Sequence, residues 1–436
     1  MKILRTRDCD LPGVLKLIRR ETGLFDEQVS SVVQGIAADV AARGDEALYH
    51  HTRRLDGYEI DAASMEATPE ELAAAAGEVA PADEEIIRSA AGRIEAYHRK
   101  QLASLGDKDW HYQEGQGIRL GQLVRPLSRV GVYAPGGQAA YPSSVLMAAI
   151  PARIAGVNEI FLVSPLRQGR LNPFVALAAG ICGVDRVFKV GGAQAIAALA
   201  YGTEHIPRVD KIVGPGNAYV AAAKKHVFGL VDIDMIAGPS EILIIADHKA
   251  DPGFIAADLI GQAEHDELAC AILVTDDDNL AGAVQAEIAS QLSSLPRRDI
   301  ARRALEEHGA IVITGDVDEA IELANFYGPE HLELMLASPE KWIKKVRNAG
   351  CVFLGASTPE TVGDYIAGSN HILPTGGTAR FSSPLGVYDF IKRISVVSFA
   401  PEDLATFGPL AAGFARLEGL DGHARAVALR LERKKS

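Results

Sequence analysis

From about residue 121 onward, short β-branched apolar runs alternate with alanine-rich stretches of helical period. Residues 130–133 read as a strand, followed by the turn Pro135-Gly136-Gly137 and a helix over about 142–155. Strands at 159–163, 186–190 and 211–213 follow, interleaved with helices near 174–180, 193–201 and 217–227. A second series begins at Glu241, with strands at 242–246, 270–275, 310–314 and 351–354. Its helices fall at 252–264, 279–292, 317–326 and 340–348. Such alternation predicts βαβ units built on parallel sheets. The expected fold class is α/β: two Rossmann-like parallel-sheet domains with helical N-terminal and C-terminal extensions.

The first hundred residues have a different pattern. Residues 20–76 and 83–101 carry helical periodicity and many charges, which predicts helices packed on one of the sheets. The tail after Arg393 also reads as helical. The expected division is an N-terminal segment, 1–24; a first α/β domain, 25–125 with 241–378; a second, 126–240; and a C-terminal helical arm, 379–436.

Composition narrows the function classes. A length of 436 residues is ample for two or three domains. The net charge of -13 argues against nucleic acid as the main partner, because a phosphate backbone demands a basic surface. No apolar run reaches the ~20 residues of a membrane span, and no export signal is visible at the N-terminus. Cys9, Cys182, Cys270 and Cys351 form no CxxC pair. They read as free thiols in a reducing cytoplasm.

Three glycine turns follow predicted strands: Pro135-Gly136-Gly137, Gly191-Gly192-Ala193-Gln194 and Gly214-Pro215-Gly216-Asn217. Turns of this kind at the ends of parallel strands make a ligand crevice. The third lacks the last glycine of the dinucleotide fingerprint, so a plain strand-to-helix turn capped by Asn217 explains it equally well.

The polar candidates are Gln262 and His265, three apart on a predicted helix, with Asp364 after Gly363, and His423 closing Glu418-Gly419-Leu420-Asp421-Gly422-His423. Imidazoles and a carboxylate suit zinc, whereas a glutamine oxygen is a weak ligand. Each has an ordinary alternative as a cap, turn or surface group, and spacing alone does not collect them. Gly328-Pro329-Glu330-His331 sets an acid beside an imidazole. A histidine near neutrality suits proton abstraction from an alcohol, and a carboxylate suits activating water.

Taken together and in order, these motifs resemble the histidinol dehydrogenase family. Val132-Tyr133-Ala134-Pro135-Gly136-Gly137, Gly191-Gly192-Ala193-Gln194-Ala195-Ile196 and Gly214-Pro215-Gly216-Asn217 carry the likeness in the first half. Ala237-Gly238-Pro239-Ser240-Glu241, Gln262-Ala263-Glu264-His265-Asp266, Gly328-Pro329-Glu330-His331-Leu332, Asn370-His371-Ile372-Leu373-Pro374-Thr375 and the Glu418–His423 motif carry it in the second. The resemblance implies oxidation of L-histidinol to L-histidine through L-histidinal with NAD, the last step of histidine biosynthesis. It implies zinc, one per subunit, on Gln262, His265, Asp364 and His423, with Glu330 and His331 catalytic. Ser240, His371 and Glu418 would join these residues in touching substrate. Tyr133, Gln194 and Asn217 would line the NAD site. It also implies a homodimer whose C-terminal arm completes the neighbour's site. Three alternatives stay open on the residues alone: a dehydrogenase of another small alcohol, a zinc hydrolase, and a non-catalytic metal-binding protein.

Overall fold

The computed structural model describes residues 1–18, 27–106, 109–115, 117–136 and 141–433. The expected 1–24 segment, the start of the 20–76 helical region and Gly137 lie partly or wholly outside them. In chain order the strands are β1 (Lys2–Arg5), β2 (Trp110–Glu114), β3 (Ile118–Pro126), β4 (Arg129–Tyr133), β5 (Glu159–Val163), β6 (Arg186–Phe188) and β7 (Lys211–Val213). They continue with β8 (Asp232–Ile233), β9 (Glu241–Ala246), β10 (Cys270–Thr275), β11 (Ala310–Ile313), β12 (His331–Met335), β13 (Cys351–Leu354) and β14 (Ile391–Ser398). They form a six-stranded sheet, β1-β11-β10-β9-β12-β13, a five-stranded sheet, β6-β5-β4-β7-β8, and a three-stranded sheet, β14-β3-β2. The first two are parallel throughout. The third is antiparallel. The α/β expectation therefore stands.

The chain divides into two compact units: residues 1–101 with 127–390, and residues 102–126 with 391–436. In the first unit, β9 and β10 are buried along their whole length. A parallel sheet covered on both faces demands such continuous apolar runs. Helices Pro252–Ala263, Asp278–Leu292 and Arg298–Glu307 supply one of the cores against this sheet. Helices Leu11–Ile18 and Val317–Tyr327 supply another. The five-stranded sheet shares its core with helices Glu27–Arg43, Asp45–Asp56, Gly192–Tyr201 and Ala218–Val227.

Four local expectations are corrected. Residues 27–56 pack with the five-stranded sheet, not with residues 241–378, because Val33, Ile36, Val40 and Leu48 join the core around Ile196 and Leu199. Lys2–Arg5 is an edge strand of the six-stranded sheet. The expected helix at 340–348 is two short 3₁₀ turns, Pro339–Lys341 and Ile343–Lys345. The second unit is not all helix beyond Arg393: β14 pairs with β3 before the helices Pro401–Leu417 and Asp421–Arg433 begin. No helix among the described residues is long and apolar enough to cross a membrane. No disulfide joins the cysteines, and Cys182 and Cys270 are buried.

Candidate active site

Local signals deliver Glu330 and His331 to the start of β12. Helix Val317–Tyr327 begins on Asp316, whose side chain accepts from the Glu319 amide, and ends at Gly328 with φ 67°. A left-handed residue followed by Pro329 stops the helix. A side chain on Gly328 would also meet the Gly377 carbonyl oxygen at 3.3 Å. The chain then enters β12 at His331, which lies beside Ile242 of β9 and Cys351 of β13. The imidazole therefore stands at the amino edge of the parallel strands, opposite to the carboxyl edge where open α/β sheets usually place ligands.

His331 is buried among carboxylates. Its Nδ1 lies 3.1 Å from the Glu241 carbonyl oxygen, 3.5 Å from Glu360 Oε1 and 3.8 Å from Glu330 Oε2. Its Nε2 lies 3.4 Å from Asp364 Oδ1. Burial opposes the imidazolium, but Glu360, Glu330 and Asp364 outweigh it and hold the pKa well above the usual histidine value. Glu330 is buried too and accepts from the Glu241 amide at 2.9 Å. Burial pushes its carboxyl up to about 8, the range in which a carboxyl both takes and gives a proton near neutrality.

Asp364 lies in a π-type turn, Gly363–Ala367, that continues the short helix Glu360–Val362. Such turns recur at functional sites. Gly363 is required here, because a Cβ would sit 2.2 Å from the Phe353 ring. Although burial opposes its charge, His331, His371 and His265 keep the Asp364 carboxyl below its ordinary pKa. His371 Nδ1 lies 2.9 Å from the Asp364 carbonyl oxygen. His265 is exposed on the surface of this chain, and desolvation by the atoms packed around it lowers its pKa against the pull of Asp364. Gln262 is buried on helix Pro252–Ala263. With its amide turned to suit its neighbours, its nitrogen donates to Glu360 Oε1 at 2.9 Å and faces His331 Nδ1 at 3.2 Å.

Of the residues singled out in the sequence, the fold thus gathers Gln262, His265, Glu330, His331, Asp364 and His371. Ser240 directly precedes β9, and its carbonyl accepts from the Cys270 amide at 3.0 Å. Glu418 and His423 belong to the second unit. Glu418 caps helix Pro401–Leu417, Gly419 turns at φ 73°, and His423 sits in the first turn of the next helix, with both side chains exposed.

Sequence reasoning missed Glu360 and the structural part played by Glu241. His331, Glu360 and Asp364 offer ligand atoms all within 4.8 Å of one another. Glu241 accepts from the Tyr327 hydroxyl at 2.7 Å and the Gly376 amide at 2.8 Å, tying the loop before His331 to the 370s. Thr358-Pro359-Glu360 carries no motif that would have flagged its acid. Several carboxylates and imidazoles buried together, with His331 Nε2 left without a hydrogen-bond partner, fit a divalent cation of borderline hardness.

Pro135-Gly136, Gly191-Gly192 and Gly214-Pro215-Gly216 follow the carboxyl ends of β4, β6 and β7. Strand order places the topological switch point between β4 and β7. The Tyr133 hydroxyl accepts from the Gly192 amide at 3.2 Å, and burial pushes its pKa up to about 12. Asn217 does cap helix Ala218–Val227, accepting from the Tyr219 and Val220 amides at 3.1 Å each. Gln194 is fully buried, donates to Asp56 Oδ2 at 3.1 Å and leaves its Oε1 unpartnered. An orphaned acceptor beside glycine turns at a switch point fits a dinucleotide.

Burial raises Asp56 to about 6. Its folded pKa thus exceeds its unfolded one, so stability linked to its protonation is complete below the unfolded value and lost as pH rises through about 6. Asp56→Asn retains an acceptor for Gln194. It should stabilise the protein at pH ~7–8 by about 1–3 kcal/mol, allowing for partial exposure, and by nothing near pH ~4. Melting curves of the two proteins that stay parallel across this range would exclude the effect.

A family model described as histidinol dehydrogenase matches residues 19–431. The curated histidinol dehydrogenase of Syntrophotalea carbinolica is 50% identical over 432 residues, covering 99% of each chain. That of Ralstonia nicotianae is 52% identical over 434 residues, covering 99% of this chain and 98% of its own. The crystal structure of histidinol dehydrogenase from Elizabethkingia anophelis superposes with a TM-score of 0.92 at 36% identity, covering 100% of this chain and 99% of that one. Full-length likeness, carried through the strands and turns that assemble the buried acid–imidazole cluster, shows that the chain belongs to the histidinol dehydrogenase family.

Proposed function

We propose that the protein oxidises L-histidinol to L-histidine through L-histidinal with two NAD molecules, completing histidine biosynthesis in the cytoplasm. The observation that carries this reading is His331, buried between Glu330, Glu360 and Asp364 at the edge of β12. Zinc on Gln262, His265, Asp364 and His423 would orient the substrate's amine and imidazole, and NAD would accept the hydride. Tyr133, Gln194 and Asn217 line the NAD crevice, and residues 126–240 are the domain that presents it. Residues 241–378 carry the metal and substrate residues, apart from Ser240 just before them and Glu418 and His423 in the C-terminal arm. Ser240, His371 and Glu418 contact the substrate.

His331 takes the proton from the carbinol oxygen, and Glu330 takes one from the water that adds to the aldehyde. An imidazole that acts as a base must be neutral. A cation bound at Asp364 would neutralise one of the three carboxylates that favour the imidazolium, after Glu360 and Glu330.

A homodimer with shared sites is part of the proposal. On helix Pro401–Leu417, Phe407, Leu410, Phe414 and Leu417 recur at spacings that share one face. Leu410, Phe414 and Leu417 are 70%, 65% and 86% exposed. An apolar stripe of this kind supports burial against a partner.

The decisive assay is NADH formation from L-histidinol, with and without a chelator. A metal-stripped enzyme with full activity would remove zinc from the proposal, and a metal-loaded enzyme that forms no NADH from histidinol would remove the substrate. His265→Asn should lower metal content and activity together, by at least the ~10–100-fold that loss of an outer partner of a metal site costs. Elemental analysis alongside the assay checks the link.

A further inference from the structure

The glycine turn after β7 is held by a buried ion pair that the chemistry above does not use. Lys224, on helix Ala218–Val227, pairs with Asp234, just beyond β8, and their side chains are 3% and 0% exposed. Lys224 Nζ donates to the Gly214 carbonyl oxygen at 2.9 Å. Asp234 Oδ2 accepts from the Gly214 amide at 2.8 Å, and Oδ1 accepts from the Met235 amide at 2.7 Å. Both backbone polar groups of one residue therefore end on the pair. Gly214 has φ 117°, and a Cβ there would lie 2.2 Å from the Tyr133 carbonyl oxygen. The turn is fixed by the end of β4 on one side and by the ion pair on the other.

Filling this space does not require charge, since apolar residues of like volume are often as good as a buried ion pair or better. What apolar side chains cannot do is satisfy the amide and carbonyl of Gly214. We infer that Lys224 and Asp234 are positioning residues for the dinucleotide. Through Gly214 they set where Gly216 and Asn217 meet the ligand, at the switch point between β4 and β7. Sealed from solvent and opposite in sign, they act through backbone geometry and not through an attractive field. The inference rests on the reading of this crevice as the NAD site.

The test uses the metal-loaded, full-length enzyme and two readouts: direct NAD titration and steady-state kinetics with each substrate varied. The double variant Lys224→Met/Asp234→Leu replaces the pair by apolar groups, so its melting temperature should recover relative to Lys224→Met alone. Its KM and Kd for NAD should stay raised by about 10-fold or more, since a misplacement of ~1 Å can cost ~10²-fold. KM for histidinol should change by less than about 2-fold, because the histidinol residues lie on other elements. A purely structural role would let NAD affinity recover with stability, and wild-type NAD affinity in the folded double variant overturns the inference. If that variant does not fold, Lys224→Met/Asp234→Asn, which removes the charges and the donor to the Gly214 carbonyl, is read in the same way. Tyr133→Ala and Asn217→Ala separate the two levels. If they weaken NAD binding while the pair's variants do not, the inference alone fails; if they leave it unchanged, the crevice reading fails with it.

Discussion

His331→Asn should slow oxidation of both L-histidinol and added L-histidinal by about 10²- to 10⁴-fold, the range that a general base contributes. Both half-reactions remove a proton from an oxygen bound to the reacting carbon, so loss of one base affects both. Glu330→Gln should act differently. Only the second half-reaction consumes water, so histidinal oxidation should fall further than histidinol oxidation. Glu330 suits this task because burial sets its carboxyl at about 8, while the Glu241 amide holds one oxygen at 2.9 Å. The amide of the glutamine variant can keep an acceptor in that place without taking a proton. Equal losses on the two substrates would show that Glu330 supports the site as a whole and does not activate water.

Two inactive variants, one altered at His331 and the other at His423, should restore each other's activity. His331 belongs to the first compact unit and His423 to the second. If the second unit serves the partner's site, a mixed dimer contains one site in which both histidines are intact. Activity up to about half that of wild type per mixed dimer follows from two-fold symmetry. Native mass spectrometry must show the mixed dimer. Its presence without activity would mean that each arm serves its own subunit.

The sequence alone determined the α/β class and most of the strands and helices. Continuous apolar runs such as Ile242-Leu243-Ile244-Ile245 suit only strands covered on both faces, and they are buried throughout. The expected helix starts at 252 and 317 agree with the structure, where Asp251 and Asp316 cap the helices by local interactions. The candidate site was proposed from its motifs, as an ordered set resembling one family. Spacing in the chain could not bring Gln262, Glu330 and Asp364 together.

Only the tertiary structure decided the rest. Residues 2–5, 118–126 and 391–398 show weak strand patterns, and pairing partners far away in sequence make them strands, with 110–114 added to 118–122 as a local hairpin. The helices at 27–56 have an apolar face that would fit either sheet, and the core around Ile196 and Leu199 settles which. Glu360 is an unremarkable acid in the sequence. It becomes part of the site because Glu333 of β12 accepts its backbone amide at 2.8 Å, with its carboxylate 3.5 Å from His331. Burial and neighbouring charges, which shift Glu330 and His331 away from their ordinary pKa values, are properties of the assembled protein and not of any stretch of chain.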